Sequence, residues 1–187
     1  MPRLHIIIVG AALLLGASTT VYAQASTPST EAQSAKADGA LSGRDLEFLE
    51  DAAQSGLTEI EASRLAQQTS TNSDVNAFAA QMIKDHIRMR EELARLAASK
   101  GYTPAAEPSL LQQVELKALA ALNGEWFDKA YSDRIGVAAH ESTVRMFKEA
   151  SKSAQDPDIK AFAANHLPAL EQHLEMARDL ENKVRNE

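Results

Sequence analysis

The chain has 187 residues, of which 24% are charged and 44% hydrophobic, and carries a formal net charge of -7; one domain of ordinary soluble composition is the default. Acidity excludes a phosphate-binding surface and with it nucleic acid as a partner, because such surfaces concentrate Lys and Arg to displace counterions. The absence of cysteine excludes disulfides, a thiolate zinc site, a thiol nucleophile and a lipid-acylated cysteine, so any metal must be held by His, Asp and Glu.

Arg3 precedes an apolar run from Leu4 to Ala17, and Val21-Tyr22-Ala23 has the small residues that a signal peptidase reads. The run is shorter than the roughly 20 apolar residues of a membrane span and is broken by Gly10 and Gly16. Residues 1–23 are therefore expected to be a cleaved signal peptide. No transmembrane anchor should survive cleavage, and the location is periplasmic or secreted. Residues 24–42 contain almost nothing large and apolar, too little to offset the entropy of ordering, and read as a disordered tether.

The domain is expected over 43–187. Abundant alanine with 5% aromatics favours helices packed through small residues. Ser42 and Asp45 stand at capping-box spacing, with Asp in place of Glu, before a helix that runs to about Thr69 with Leu49, Ala53, Leu57, Ile60 and Leu65 on one face. After a polar break at 69–73, Val75, Phe78, Ala79, Met82, His86, Met89, Leu93 and Leu96 form the stripe of a second helix that stops at Gly101. Ser109 and Gln112 are spaced to cap a short helix through Leu122. Gly124 opens a third long pattern, in which Trp126, Ala130, Val137, His140, Val144 and Phe147 share a face to about Ser153. Asp156-Pro157 then supplies an N-cap and first-turn proline for a fourth, lined by Ile159, Ala163, His166, Leu170, His173, Ala177, Leu180 and Val184. The connection from Gly101 to Leu122 is too long for a tight hairpin and long enough to run the length of a helix, which makes the second and third long helices parallel. This is an all-α four-helix bundle with one long crossover. Val75 to Gln81 also recurs 84 residues later as Ile159 to Asn165, with Ala-Phe-Ala-Ala in common, which suggests an internal duplication of the hairpin.

His86, His140, His166 and His173 each fall on an apolar stripe, and so does Glu61 in the first helix. At 1.5 Å per residue, Glu61, His86, His140 and His173 stand roughly 16 to 27 Å from the breaks between helices, near mid-bundle, with one on each long helix. Neutral imidazoles beside a carboxylate are natural ligands for zinc, manganese, iron or copper. The alternative is a set of core histidines hydrogen-bonded to carbonyls and acidic neighbours. His166 lies seven residues, about 10.5 Å, from His173, so His173 belongs to the expected site and His166 lies behind it. Asp85 either orients an imidazole or is a solvated charge beside Lys84 and Arg88. Pro168 either kinks the fourth helix so as to aim His173 inward or is merely tolerated. Met82 and Met89 read as core filler, and Tyr131 as an aromatic at the core edge.

Phe48-Leu49 with Ala53 and Gly56-Leu57, Glu59 and Glu61, Phe78-Ala79 with Met82 and Asp85-His86, Phe127-Asp128 with Tyr131 and His140-Glu141, and Leu167-Pro168 with Leu170 and His173-Leu174 resemble the bacterial exported domain-of-unknown-function 4142 family, of the ferritin-like superfamily. The resemblance covers roughly residues 44–181. It implies an exported ferritin-like four-helix bundle and, by superfamily analogy, a metal centre, with no established reaction. One departure matters. Di-iron bundles use Glu-x-x-His pairs, yet Ile83, Val137, Ala163 and Leu170 stand three residues before the four histidines. A mononuclear or histidine-rich site is therefore preferred over a carboxylate-bridged pair of irons. The leading reading is a metal-binding bundle for storage, sensing or redox and stress protection. The second is a non-catalytic envelope-stress or interaction module with structural histidines, and the third is a metalloenzyme. The sequence leaves the protein partner open, a second copy of the chain included.

Overall fold

A computed structural model describes residues 40–186; the expected signal peptide, and the expected tether as far as residue 39, lie outside the described residues. Among these residues the protein is all helical, without strands. Helix α1 spans Gly43–Thr69, α2 Ser73–Ser99 and α3, a short helix in the connection, Leu110–Ala120. Three consecutive stretches, Gly124–Ala130, Tyr131–Ala139 and His140–Ser153, run on without a break and form α4. The last helix, α5, is Pro157–Arg185 and continues through Pro168.

The helix ends follow from local chemistry. Asn72 Oδ1 accepts from the backbone N–H groups of Asp74 and Val75 at 2.8 and 3.2 Å, and Asp156 Oδ1 accepts from Asp158 and Ile159 at 2.9 and 3.1 Å. Each cap satisfies amides that have no partner inside the helix. The two caps are themselves 84 residues apart, in the register of the repeated segment, and Val75, Phe78 and Ala79 are buried as Ile159, Phe162 and Ala163 are. Ser109 and Gln112 form the complete reciprocal box expected of them. Gly101, at φ 71°, ends α2: its own N–H and that of Tyr102 return to the carbonyls of Ala98 and Ala97, the left-handed stop that a residue with Cβ resists.

Asp45 departs from the capping-box expectation. Ser42 Oγ does accept from Asp45 N, at 3.1 Å. The Asp45 carboxylate does not reach back to the cap, because it is buried against the α4–α5 turn, where it accepts from Gln155 N and Asp156 N at 3.0 and 3.1 Å. At the same end Lys100, just past α2, pairs with Asp156 at 2.8 Å. At the other end Lys183 of α5 pairs with Asp74 of α2 at 2.9 Å. The start of α1, the finish of α2, the finish of α4 and the start of α5 therefore share one end, and α2 and α4 run in the same direction, as the length of the crossover requires. Glu50 of α1 pins that crossover by accepting from Tyr102 Oη at 2.7 Å and Ala105 N at 3.0 Å.

The middle of α4 is a π-helix, Tyr131–Ala139, in which hydrogen bonds span five residues and each turn holds more of the chain. That widening corrects the predicted face of this helix. Trp126, expected inside, is 77% exposed, whereas Phe127, Tyr131, Ile135 and Gly136 lead inward to His140. Tyr131, expected at the core edge, is fully buried, stacked on Phe127 and bonded to Ser63 Oγ at 2.8 Å. At Gly136 an added Cβ would meet Ala177 Cβ at 3.3 Å, so α4 and α5 approach tightly at a point where neither carries bulk.

The apolar core is divided in two. Phe48, Leu49, Met89, Leu93, Phe147, Ile159 and Leu170 belong to the half around the Asp45 end, and Val75, Phe78, Met82, Phe127, Tyr131, Leu180 and Val184 to the other. Glu59, His86, His140 and His173 are buried as well and belong to neither half.

Candidate metal centre

His86 from the middle of α2, His140 at the exit of the π-helix and His173 from α5 meet in this layer. Their ring centroids are 5.6 Å (His86–His140), 5.5 Å (His86–His173) and 5.6 Å (His140–His173) apart, nearly an equilateral triangle. One ring nitrogen of each lies within 4.8 Å of the others. Metal–nitrogen bonds of about 2.0–2.1 Å would require each imidazole to move inward by at most roughly 0.7 Å.

Hydrogen bonds assign the tautomers. His140 Nδ1 faces the carbonyl oxygens of Gly136 at 2.8 Å and Ile135 at 3.2 Å; carbonyls only accept, so Nδ1 carries the proton and Nε2 a lone pair. His173 Nε2 donates to the Asp85 carboxylate at 3.0 Å, which leaves the lone pair on Nδ1. Both lone-pair nitrogens are buried without a protein partner, as are both nitrogens of His86 and both oxygens of Glu59. Buried polar atoms are ordinarily satisfied, so this concentration of unsatisfied ones in a single layer is the outstanding chemical feature of the molecule. Burial, with His140 and His173 alongside, holds the His86 imidazole well below its usual pKa. Burial also lowers that of His173, against the hydrogen bond to Asp85, which raises it. His86 and His173 are thereby biased toward the neutral, ligating form.

Two carboxyl groups stand behind the triangle. Burial alone would raise Asp85, but hydrogen bonds from Gln81 and His173 outweigh it and leave the carboxyl below its usual range. Of the two roles weighed for this residue, the orienting contact to an imidazole is the one formed. Glu59 is only 2% exposed, and its Oε1 lies 3.6 Å from His140 Nδ1. Burial pushes the Glu59 carboxyl up to about 7, with His140 pulling the other way.

Glu61 is not among these groups: it is exposed on the outer face of α1. Leu49, Ala53, Leu57 and Ile60 are buried as expected, but the inward side of α1 extends from them through Asp45, Ala52, Glu59, Ser63 and Ala66, and Glu61 falls outside it. The heptad interval from Asp45 through Ala52 to Glu59 was the available signal. His166 is also apart from the triangle. It bonds Glu92 at 2.9 Å and packs on Phe162 with centroids 4.4 Å apart. Met82 and Met89 flank His86 on the same face of α2 and fill the two halves of the core.

The family model described as domain of unknown function DUF4142 matches residues 30–180, and the chain belongs to that family. No curated protein matches the sequence. Among solved structures, a DUF305 fragment from Deinococcus radiodurans is similar with a TM-score of 0.67 and 12% identity, covering 77% of this chain and 99% of that one. A DUF305 protein from Streptomyces coelicolor has a TM-score of 0.64 and 16% identity over 75% of this chain and 92% of its own. CopM in its Cu(I)-bound form has a TM-score of 0.61 and 15% identity over 74% and 96%. At these identities the likeness is one of fold. No helix among the described residues is long and apolar enough to cross a membrane.

Proposed function

We propose that this member of the DUF4142 family is an exported four-helix bundle of the ferritin-like type that holds one transition-metal ion between His86, His140 and His173, in storage, sensing or protection against metal and redox stress. The observation that carries the reading is the set of convergent, unpaired lone pairs: His140 Nε2 and His173 Nδ1 are each fixed as acceptors by a hydrogen bond on the opposite side of the ring, and neither has anything to accept. A cation resolves all of this at once. Asp85 behind His173 and Glu59 behind His140 would balance the charge it brings, and carboxylates in that position make an imidazole a stronger ligand.

Three imidazoles without a directly ligating carboxylate suit zinc or copper better than manganese or iron, which favour oxygen donors. That CopM is known in a Cu(I)-bound form supports copper as one of the two ions to test first. The triangle is shut away from solvent, with its three histidines at most 3% exposed, an environment suited to holding an ion rather than to admitting a substrate. Export rests on residues 1–23, whose charge, apolar run and small-residue ending have the pattern of a cleaved signal, followed by a tether.

The test is calorimetric titration of the chelator-treated protein, residues 24–187, with zinc and copper salts. One ion per chain should bind more tightly than about 10 μM, near 7 kcal/mol. His86→Ala, His140→Ala and His173→Ala should each abolish it, and His166→Ala should not. Absence of saturable binding by any first-row ion would return the histidines to a structural role.

A further inference from the structure

A groove of about 1150 Å³ runs between α1, α3 and α4. Thr58 and Glu59 of α1, Leu119 beside the C-terminus of α3, and Ile135, Ala138 and Ala139 of the π-helix line it. Glu59 is the group that gives it a chemical direction. Glu59 is one of the residues that line the groove, and its two carboxyl oxygens are buried behind that wall with no hydrogen-bond partner. On its inner side the same carboxyl lies 3.6 Å from His140.

From this juxtaposition we infer that the groove is the passage by which the metal ion reaches and leaves the triangle, with Glu59 as its last oxygen ligand before His140. The inference rests on the three-histidine reading above. Above and below the histidine layer the two halves of the core are built from large apolar side chains. On the α2–α5 side, the Asp85 carboxylate is already engaged by Gln81 and His173. Glu59 is thus the buried carboxyl, among the described residues, that both borders the groove and touches a member of the triangle while its oxygens remain free to bind. Ala138 and Ala139 keep the wall low next to His140. Glu59 approaches that ring at Nδ1, so the transfer requires the ring to swing off the Ile135 and Gly136 carbonyls, which places a kinetic barrier at the inner end.

The test is stopped-flow loading and chelator-driven release of cobalt(II) ion, whose visible absorption reports nitrogen coordination, on the full mature chain. Narrowing the groove by Ala138→Trp or Ala139→Trp should slow both association and dissociation at least ten-fold and leave Kd within three-fold of the parent. Glu59→Gln, which also removes the charge behind His140, should weaken binding about 10-fold and slow loading several-fold, whereas a carboxylate that only balanced charge would speed release and leave loading unchanged. Lys148→Trp, exposed on α4 outside the groove, should change neither rate. Ala138 is exposed, so its variant carries the test even if the half-buried Ala139 position does not accept the ring. Rates within two-fold of the parent in the folded tryptophan variants, with cobalt still bound, would overturn the passage and leave the site intact. Failure of the parent chain itself to bind cobalt, zinc or copper would overturn the site and the passage together.

Discussion

The Asp85 carboxylate and the His173 imidazole, 88 residues apart in the chain, meet at 3.0 Å between Oδ2 and Nε2. That contact decides which nitrogen of His173 can face an ion, because the proton committed to Asp85 cannot also occupy Nδ1. Asp85→Asn keeps the shape of the contact and removes its charge. Affinity for zinc or copper should fall about 10- to 100-fold, while the metal-free melting temperature should move little, since Asp85 is partly solvated. Unchanged affinity by titration would show that the pair only ties α2 to α5.

His86 has neither nitrogen satisfied by the protein. His86→Leu, of similar bulk and without polar atoms, should therefore leave the metal-free protein as stable as the parent or more stable by about 1 kcal/mol, because a buried group lacking a partner carries a desolvation cost. The same variant should bind no ion. Urea unfolding of the chelated proteins, paired with titration, checks both. A loss above about 1 kcal/mol would mean that His86 stabilises the core by itself.

Glu59 gives the metal-free protein a predictable pH response. Burial lifts its carboxyl from 4.5 to about 7, so between those values the folded state binds the proton more tightly than the unfolded chain. The stabilisation is complete below pH 4.5 and is lost as pH rises through 7, a difference of roughly 3 kcal/mol. His86 and His173, with lowered pKa values, act in the opposite sense, withdrawing stability as pH falls below about 6.5. Comparison of the parent with Glu59→Gln isolates the carboxyl: the variant should gain on the parent as pH is raised from 5 to 8. Parallel stability profiles would contradict the assignment.

Asp45 tests the separation of fold from site. Its carboxylate is buried and accepts two backbone N–H groups of the α4–α5 turn; Asp45→Ala strands both and should cost about 2–3 kcal/mol. Asp45 is 14 residues from Glu59 along α1, about 21 Å, so ion affinity at a temperature where the variant is folded should be unchanged.

Much of this architecture is local and therefore readable in one dimension. The stripe of α2, the capping residues Ser42, Ser109 and Asp156, the stop at Gly101 and the reach of the crossover each depend on neighbours a few residues away, and the helices begin and end close to where those signals put them. His86, His140 and His173 were legible too, as polar interruptions of apolar faces at similar heights. What the chain could not disclose is what depends on helices meeting. The choice of Glu59 over Glu61 turns on how far the inward side of α1 extends, and that side takes in Asp45, Ala52, Glu59 and Ser63, residues that the apolar pattern does not weigh. The exchange of Trp126 for Phe127 turns on the π-helix, whose wider turns shift every position before His140 and are accommodated where Gly136 lies against Ala177. Hydrogen-bond partners such as Asp85 for His173 and the α4–α5 turn for Asp45 lie 88 to 111 residues away. Such partners are settled by packing, because the free energy of a buried polar group depends on what surrounds it in space rather than on what precedes it in the chain.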